Sequence, residues 1–396
     1  MWGRLPTCGP IVNRPSLVPM TETTRTDAET THRSELPTSH ARVFLFAGGG
    51  TGGHVIPALA VARELQRRGH SVFFVGTERG LESTLVPRAG FPLELIQIGG
   101  LKRVGFRQRL ATLMQLPVST LYARRLLKDR RVAAVFSMGG YVAGPPVIAA
   151  LLRRVPVVVM EPNAVPGFTN RRIARYVRRA LISFPGTARY FRKGRTELTG
   201  LPVREDFFSI APKPRGAGFT VLITGGSQGS RTLNLAALRS WPLFRSAGLP
   251  VRIVHQSGPA ACDELRAAFA ESGLDGEVLP FIADMPVVFA EADLVVCRSG
   301  AGAVAELAAA GKPSILAPFP FAADQHQLRN AEAFVRAGAA RLVEDREMTG
   351  ENLIETGAQL AADPGGLARM GGAARGLAHP GAARRAAEVL EEVARG

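Results

Sequence analysis

Three glycine-rich segments hold the residues whose types and spacing best suit chemistry. They read GGGTGGH from Gly48 to His54, GGYVAGP from Gly139 to Pro145 and GGSQGS from Gly225 to Ser230. Glycines let backbone N–H groups approach a phosphate closely, and a following helix offers unpaired donors and a partial positive charge. The first and the last of these segments, each of which opens a series of strands and helices, therefore predict phosphate sites. When Gly48–His54 or Gly225–Ser230 is considered alone, the alternative interpretation is a tight turn that only allows the helix to pack against the strand.

The first glycine segment matches the dinucleotide pattern G-x-G-x-x-G at Gly48, Gly50 and Gly53. The match is weak evidence by itself, because the acid expected after the second strand is at best Glu78. No segment reads G-K-[ST], the lysine arrangement of a P-loop. Nicotinamide-dependent dehydrogenases and P-loop ATPases are therefore disfavoured.

The segment CRSGAGAVAE, from Cys297 to Glu306, predicts a nucleotide site at a strand end that leads into a helix. Small residues at the turn, such as Ala301, admit a diphosphate to the helix N-terminus. Glu306 in the next turn can accept two hydrogen bonds from ribose hydroxyls. The alternative for Glu306 is an ordinary first-turn acid that is favoured by the helix dipole.

Short apolar runs alternate with helical patterns from Arg42 onward, which is typical of a parallel sheet covered on both faces. The predicted strands are Val43–Phe46, Ser71–Val75, Ala133–Phe136, Val157–Met160, Phe219–Ile223, Arg252–His255, Leu294–Cys297 and Ser314–Ala317, with helices such as Ile56–Arg68 between them. The series restarts after the proline- and glycine-rich segment Gly200–Gly218, a plausible linker. The predicted fold class is therefore α/β, with two Rossmann-like parallel-sheet domains at 41–200 and 201–396.

The chain ends are expected to differ from these domains. Residues 1–40 are rich in Thr, Pro and Arg without an apolar period, and they lack the apolar core of a secretory signal. We expect a disordered extension there, and Met20 rather than Met1 could be the true start. The last helix, about Gly381–Ala394, could fold back across the domain boundary.

The net charge of +16 lies entirely in the first predicted domain. Residues 1–40, 41–200 and 201–396 carry 4, 26 and 19 Lys+Arg against 4, 7 and 22 Asp+Glu, which gives balances of 0, +19 and −3. Such an excess indicates an anionic partner: nucleic acid, a phospholipid surface or a phosphorylated substrate. The three cysteines are too few for a disulfide framework or a metal site and fit a reducing cytoplasm.

Two stretches of this basic domain raise the question of a membrane. Leu101–Arg131 contains nine Lys+Arg against Asp129 alone, interleaved with apolar residues, which suits docking on an anionic leaflet. A solvated basic face is the alternative. The uncharged stretch Val132–Leu152 is long enough to span a bilayer, but its Gly-Gly and Gly-Pro-Pro interruptions disfavour a span. A strand followed by a buried helix over about Pro146–Leu152 is expected instead.

Six ordered motifs resemble the MurG family of N-acetylglucosaminyltransferases. They are GGGTGGHVIPALA, SMGGYVAGPP, EPNAVPGFTNR, GGSQGSRTLN, CRSGAGAVAELAAAGKP and DQHQLRNA. The resemblance covers about Arg42 to the C-terminus and implies a GT-B fold, with two Rossmann-like domains facing a cleft. It also implies inverting transfer from UDP-N-acetylglucosamine, bound by the second domain, to the acceptor lipid I, bound by the first. The expected outcome is lipid II for peptidoglycan biosynthesis, made by a peripheral protein on the cytoplasmic face of the bacterial inner membrane.

The resemblance implies roles for individual residues. The donor is expected to contact Thr51, Gly52, Gly53, Asn163, Arg204, Ser227, Ile282, Arg298, Ala301, Gly302, Glu306 and Gln327, and the acceptor Gly139, Gly140 and Tyr141. Ile282 would read the uracil through its backbone with Arg298 nearby, and Gln327 would contact the sugar hydroxyls. Glu306 would hold the ribose. Pro162 stands where the family often has glutamine.

His54 and Glu161 are the candidates for proton transfer. An imidazole accepts a proton near neutral pH, so His54 is expected to be the general base or to orient the acceptor. A histidine that only binds acceptor phosphate or closes the turn is the alternative. Glu161 is a second candidate base or a structural residue.

A bound metal is not expected, because the sequence contains no D-x-D. The leaving diphosphate would then be stabilised by helix N-termini and by donors around Gly226, Ser227 and Ala301. No cofactor is expected.

Two other functions stay open from the residues. Another GT-B enzyme that uses a UDP-sugar is the nearer rival, either a lipid glycosyltransferase or a UDP-N-acetylglucosamine epimerase, and an epimerase would need no lipid-facing basic domain. A nucleic-acid-binding protein is disfavoured, because the basic domain has few aromatic residues for stacking and no recognisable motif. The expected partners are therefore UDP-N-acetylglucosamine, lipid I and an anionic membrane surface, with no nucleic acid.

Overall fold

The computed structural model describes residues 41–50, 52–99, 106–213 and 218–395, with residues 106–113 described by their backbone alone. The predicted disordered extension at 1–40, the predicted donor contact Thr51 and the first part of the basic stretch Leu101–Arg131 lie outside the described residues.

The first domain is built on a seven-stranded parallel sheet in the order β3-β2-β1-β4-β5-β6-β7. Its strands are Val43–Gly48 (β1), Ser71–Gly76 (β2), Leu93–Leu95 (β3), Val132–Gly139 (β4), Val157–Glu161 (β5), Arg179–Ile182 (β6) and Thr196–Leu198 (β7). Its helices are Gly52–Arg67 (α1), Glu82–Arg88 (α2), Phe106–Asp129 (α3), Gly144–Leu152 (α4) and Phe168–Ile173 (α5).

The second domain repeats the plan with a six-stranded parallel sheet in the order β10-β9-β8-β11-β12-β13. Its strands are Phe219–Thr224 (β8), Val251–Gln256 (β9), Asp275–Leu279 (β10), Leu294–Cys297 (β11), Ser314–Leu316 (β12) and Ala340–Leu342 (β13). The remaining helices are Arg231–Ser246 (α6), Cys262–Ser272 (α7), Met285–Glu291 (α8), Ala301–Ala310 (α9), His326–Arg336 (α10), Gly350–Ala361 (α11), Pro364–Arg375 (α12) and Ala382–Arg395 (α13).

The strand order fixes where ligands can bind. In each sheet the chain builds outward on one side of the first strand and then returns to its other side, so β1–β4 and β8–β11 are topological switch points. Crevices at the carboxyl ends of strands at such points are the usual ligand sites of open parallel sheets. The three glycine-rich segments and the segment Cys297–Glu306 lie at the carboxyl ends of β1, β4, β8 and β11. The α/β class with two Rossmann-like domains is confirmed, while the boundary at residue 200 stays a prediction.

Central strands such as β1 and β11 are continuous apolar runs because helices cover both faces of each sheet. Phe44, Phe46 and Phe136 are almost completely buried in the first core. The last helix, α13, follows the second domain in the chain but packs against α1 and β4 of the first. Its buried face includes Val389 and Leu390. The two domains are therefore joined by a second crossing of the chain.

The uncharged stretch Val132–Leu152 folds as strand β4, a glycine turn and helix α4. Pro145 lies in the first turn of α4, where a missing N–H costs nothing. Both elements are almost entirely buried in protein. Among the described residues, no helix combines the length and the apolar character that crossing a bilayer requires.

Glu82 holds the first glycine segment in place from the start of α2. Its carboxylate is fully buried and accepts hydrogen bonds from the amide of Gly50 at 2.8 Å, the amide of Thr77 at 3.0 Å and the hydroxyl of Thr77 at 2.9 Å. A side chain at Gly49 or Gly80 would clash with this carboxylate. Glycine is therefore required here by the close approach of a buried acid as well as by any ligand.

We expect Glu82→Gln to lower the free energy of unfolding by about 1–3 kcal/mol, because the amide nitrogen would face a buried N–H and leave it unpaired. Urea denaturation measures the change. Glu78→Gln is the matched control, since Glu78 is exposed on the same connection and its change should be within about 0.5 kcal/mol. Equal stability of the two variants would contradict this role for Glu82.

Candidate active site

The first two glycine segments come together at the β1–β4 switch point. A Cβ placed on Gly140 would lie 3.5 Å from the carbonyl oxygen of Gly49 and 3.9 Å from Nδ1 of His54. One placed on Gly50 would lie 3.8 Å from the ring of Tyr141. Gly50 and Gly140 have φ angles of 89° and 78°, which a larger residue would adopt only under strain. The predicted acceptor residues therefore line one shallow surface with His54.

Gly139 and the start of α1 complete that surface. Gly139 has φ 81°, and a Cβ there would lie 3.0 Å from the side-chain amide of Asn170. Gly52 and Gly53 form the first turn of α1, whose N-terminus carries no acidic residue. The surface thus offers backbone donors and a helix dipole rather than charged side chains.

His54 is held with one ring nitrogen on the backbone. Its Nδ1 lies 3.2 Å from the carbonyl oxygen of Gly49, which can only accept, so the proton is assigned to Nδ1 and the lone pair to Nε2. Burial lowers the pKa of His54 below its ordinary value and His326 lowers it further, while the bond to Gly49 acts in the opposite direction. His54 is therefore a neutral imidazole with Nε2 available as a base.

Hydrogen-bond donors of the protein surround the carboxylate of Glu161, which leaves it poorly placed to accept a proton from a substrate. One carboxylate oxygen accepts from the backbone and side-chain amides of Asn163 at 3.0 and 3.2 Å, and the other from the amide of Gly167 at 3.1 Å and the side chain of Asn170 at 2.9 Å. Burial raises the pKa of Glu161, and these hydrogen bonds oppose the rise. With 1% exposure and both oxygens occupied, the carboxylate fits the structural alternative.

Asn330, on α10, joins the two domains at this loop. Its side-chain oxygen accepts from the amide of Ala164 at 2.9 Å, and its nitrogen donates to Oδ1 of Asn163 and to the carbonyl of Ser299, both at 3.1 Å. The side chain is completely buried. Asn163 is thus fixed on both sides, by Glu161 and by Asn330. Beside this contact the domains enclose a cleft of about 1200 Å³, whose lining includes Ala164 and Ala301. Of the predicted site residues that the structure describes, Ala301 alone lines this space, and the others lie outside it.

The N-terminus of α9 faces the cleft without a side-chain cap. Gly300 precedes the helix in an extended conformation and makes no capping hydrogen bond. The first N–H groups of α9, beginning at Ala301 and Gly302, therefore remain available to an anion. A Cβ on Gly300 would lie 4.0 Å from Nε2 of Gln327. The Gln327 oxygen accepts from the amide of Phe319 at 3.0 Å, so its NH2 group is the part presented towards the helix start.

Glu306 lies in the second turn of the same helix, half-buried. Burial raises its pKa to about 7, against the favourable charge of Arg204. Arg204 itself is exposed, with its guanidinium 5.2 Å from the centre of the Phe207 ring. Glu306 and Arg204, predicted from distant parts of the chain, are brought close enough to interact.

Arg298 serves the architecture of the site. Its guanidinium pairs with Asp345 at 2.5 Å, donates to the carbonyl of Ala317 at 3.1 Å and lies 5.5 Å from the centre of the Phe319 ring. These contacts tie the loop that follows β12 to the start of α9. Arg298 therefore positions, through its Nη1 atom, the loop whose Phe319 amide donates to Gln327.

Ile282 ends a chain of buried hydrogen bonds that starts at the third glycine segment. The amide of Gly226 and the side-chain nitrogen of Gln256 both donate to Oγ1 of Thr224 at 3.1 Å, and the amide of Ile282 donates to Oε1 of Gln256 at 2.8 Å. The Ile282 amide already donates to Gln256, so of its two backbone polar groups only the carbonyl oxygen could hydrogen-bond to a nucleobase. Ser227 lies exposed at the tip of the glycine segment.

Three functional positions escaped the sequence analysis: Glu82, Gln256 and Asn330. Gln256 is the last residue of β9, at the carboxyl end of its strand, and Asn330 belongs to the motif DQHQLRNA. Both positions carried a usable signal. For Glu82 the only signal in the sequence was the nearby Gly80, at which a side chain would clash with the Glu82 carboxylate. Within the described ranges, no three His, Cys, Asp or Glu side chains gather into a possible metal site, and metal independence stays a prediction.

Comparisons with known proteins agree with this arrangement. Residues 44–182 match the N-terminal domain of glycosyltransferase family 28, and residues 220–386 match its C-terminal domain. A relative from Solibacter usitatus (strain Ellin6076) is 67% identical over 365 residues, covering 92% of this chain and 99% of the relative. It is named UDP-N-acetylglucosamine--N-acetylmuramyl-(pentapeptide) pyrophosphoryl-undecaprenol N-acetylglucosamine transferase.

Solved structures show the same fold. The crystal structure of Acinetobacter baumannii MurG superposes with a TM-score of 0.75 at 33% identity, covering 89% of this chain and 99% of that one. A UDP-GlcNAc 2-epimerase from Neisseria meningitidis, covering 89% of this chain and all of its own, has a TM-score of 0.62 at 15% identity and shares the fold alone. The predicted GT-B fold is confirmed, and the chain belongs to glycosyltransferase family 28, in its MurG group.

Proposed function

We propose that this protein transfers N-acetylglucosamine from UDP-N-acetylglucosamine to undecaprenyl-pyrophosphoryl-N-acetylmuramoyl-pentapeptide, or lipid I, giving lipid II. The observation that carries the proposal is the 67% identity, over nearly the whole length, to a relative named for this transfer. The cleft supports it with two backbone-lined sites on opposite domains, one for each diphosphate.

In the proposed reaction an acceptor hydroxyl attacks the anomeric carbon of the donor sugar. The bond between that carbon and the phosphate oxygen breaks, the new glycosidic bond forms, and the hydroxyl proton passes to Nε2 of His54. The neutral state of His54 suits this role, because a protonated imidazole has no lone pair to offer. Glu161 would act at a distance, by holding the loop of Asn163.

The leaving UDP would be stabilised by donors that are already fixed. The uncapped first turn of α9 at Ala301 and Gly302 supplies N–H groups and a helix dipole, and Gln327 and Ser227 supply side-chain donors. Glu306 would accept from the ribose hydroxyls, and the Ile282 carbonyl would address the uracil. Such preorganised donors need no reorganisation as charge develops.

The epimerase alternative has less support. The epimerase neighbours share the fold at 15% identity or less, which does not extend to function. An epimerase also has no use for a second phosphate surface on the first domain, where Gly139, Gly140 and Tyr141 lie beside His54.

The decisive measurement is transfer of radiolabelled N-acetylglucosamine to a soluble lipid I analogue, with a chelator present. We expect full activity with chelator, and His54→Ala should lower kcat by about 10²–10⁴-fold with donor KM changed less than about twofold. His54→Asn is the matched control, because its amide nitrogen can replace Nδ1 on the Gly49 carbonyl without providing a base. If His54→Asn turns over much faster than His54→Ala, the role of His54 is to hydrogen-bond to the Gly49 carbonyl and close the turn, and it is not the base. Absence of transfer would overturn the proposed function.

Donor binding should depend on pH through Glu306. Its pKa is raised to about 7, so the carboxyl becomes protonated as pH falls through 7, and the protonated form keeps only part of its acceptor capacity for the ribose hydroxyls. We expect donor KM to rise as pH falls from 8 to 6, by at most about tenfold for each pH unit below the pKa. Glu306→Gln should flatten this dependence, whereas the control Glu355→Gln, exposed on α11, should keep it. If donor KM depends on pH as strongly in Glu306→Gln as in the unchanged protein, a group other than Glu306 is responsible for the dependence.

We propose further that the protein docks peripherally on the anionic inner leaflet through α3 and α4. Met114, Val118 and Leu121 are 72%, 68% and 58% exposed at helical spacing on α3, and Leu152 on α4 is 65% exposed. Arg124 and the neighbouring basic residues of the predicted docking stretch lie along the same helix. Exposed apolar side chains beside cations suit insertion at a lipid headgroup boundary.

Vesicle co-sedimentation tests this docking. Val118→Ser/Leu121→Ser should weaken binding to phosphatidylglycerol-containing vesicles about tenfold, because two apolar side chains are lost from the lipid contact. The matched pair Leu235→Ser/Val335→Ser removes side chains that are each 40% exposed on the second domain, and it should bind like the unchanged protein. Binding that ignores both phosphatidylglycerol content and the first pair would exclude the docking surface.

A further inference from the structure

A second cavity, of about 310 Å³, lies in the first domain and is surrounded by arginines. The five arginines that line it are Arg154, Arg175, Arg178, Arg192 and Arg195. Its remaining wall is mostly apolar and includes Val157 and Tyr176. We call this space the arginine cavity.

The arginine cavity lies at the opposite end of the sheet from the reaction cleft. Val157 is the first residue of β5, and Arg178 immediately precedes β6, so the cavity opens at the amino ends of these strands. Glu161, which holds the cleft loop, is the last residue of β5. A strand rises about 3.3 Å per residue, which separates the two ends of β5 by about 13 Å. Neither diphosphate of the proposed reaction reaches the arginine cavity from the cleft.

The positive charge in the arginine cavity has no acidic partner within ion-pair distance among the described residues, and four of its five arginines are exposed to solvent. None of its five arginines forms an ion pair there. Residues 130–195 contain 13 Lys+Arg and one acid, the buried Glu161. The partners of these arginines are instead neutral: Arg195 donates to the carbonyl of Arg178 at 3.3 Å, and Arg175 lies 4.7 Å from the centre of the Tyr176 ring.

Like charges gathered around one space repel one another, and a bound anion relieves that repulsion. Guanidinium groups match phosphate in particular, because their planar fork donates two parallel hydrogen bonds to phosphate oxygens. We propose that the arginine cavity is a phosphate-binding site, separate from the reaction cleft. The phosphate group is carried either by an anionic lipid headgroup or by a soluble phosphate ester.

The test is calorimetric titration of the full chain with pyrophosphate in the presence of saturating UDP, which occupies the proposed donor site. Any binding at the proposed acceptor surface is common to all variants and cancels in their comparison. We expect Arg154→Gln/Arg192→Gln to weaken binding about tenfold, since two charge-assisted contacts are lost. The matched control is Arg153→Gln/Lys193→Gln, which removes the same charge from adjacent positions that do not line the arginine cavity. The control should weaken binding by less than about twofold, as expected for screened surface charges. Equal weakening by the two pairs would overturn the proposal.

A second readout guards against a variant that is simply misfolded. Without ligand, Arg154→Gln/Arg192→Gln should melt at or above the temperature of the control pair, because it removes repulsion, and pyrophosphate should raise its melting temperature less. Arg154→Lys/Arg192→Lys keeps the charge but loses the planar fork, and its binding should fall between the two pairs. A ligand-free melting temperature well below that of the control would overturn the repulsion argument.

Vesicle binding distinguishes the two sources of phosphate. For a lipid headgroup, Arg154→Gln/Arg192→Gln binds phosphatidylglycerol vesicles more weakly than the control pair, and excess pyrophosphate removes the difference. For a soluble ester, the two pairs bind vesicles equally and differ only in the calorimetric titration. Transfer to a soluble acceptor should be unchanged in every variant, so failure of this proposal leaves the proposed function untouched.

Discussion

Buried side chains that hydrogen-bond to backbone amides and carbonyls are the interaction on which the whole site depends. Glycine segments give ligands access to backbone donors, but they have no side chains of their own to fix their shape. Glu82 supplies that restraint for the first segment, Glu161 for the loop of Asn163, and Gln256 for the backbone at Ile282. Each is nearly or completely buried, so removing it would strand backbone donors without water. The preorganisation of the cleft thus comes from residues that no substrate needs to touch.

The same interaction connects the domains. Asn330 binds the loop of Asn163 on the first domain and the carbonyl of Ser299, just before α9, on its own domain. The loop of Asn163 and the segment before α9 therefore share one buried side-chain amide, so a displacement of either segment would strain the hydrogen bonds to the other. The second chain crossing, through α13, limits the domains further because its buried face belongs to the core of the first domain. Together these two contacts restrain how the first domain lies against the second.

The fold class could be predicted from the sequence because strands, helices and glycine turns are each indicated by residues that are close together in the chain. Val157–Glu161 is a run of β-branched residues ending in an acid, and the structure places a fully buried strand there, one residue longer than predicted. The roles of Glu82 and Asn330 could not be predicted in the same way, since their partners lie 32 and 166 residues away in the chain. Arg298 and Glu161 illustrate the remaining difficulty. Their residue types suit ligand binding or proton transfer equally well. Only the contacts of both Glu161 oxygens and of the Arg298 Nη1 atom indicate that these side chains position the loops around them.

The distribution of positive charge in the first domain is consistent with ligand sites that are lined by backbone groups. The segments Gly48–His54 and Gly139–Pro145 contain no lysine or arginine, although they belong to a domain with a balance of +19. A cation beside His54 would lower its pKa beyond the effect of burial and weaken it in its proposed role as a base. Backbone N–H groups and a helix dipole attract phosphate with less of that cost, because they carry only partial charges. The arginines of this domain are instead concentrated at α3 and at the amino ends of β5 and β6, away from His54.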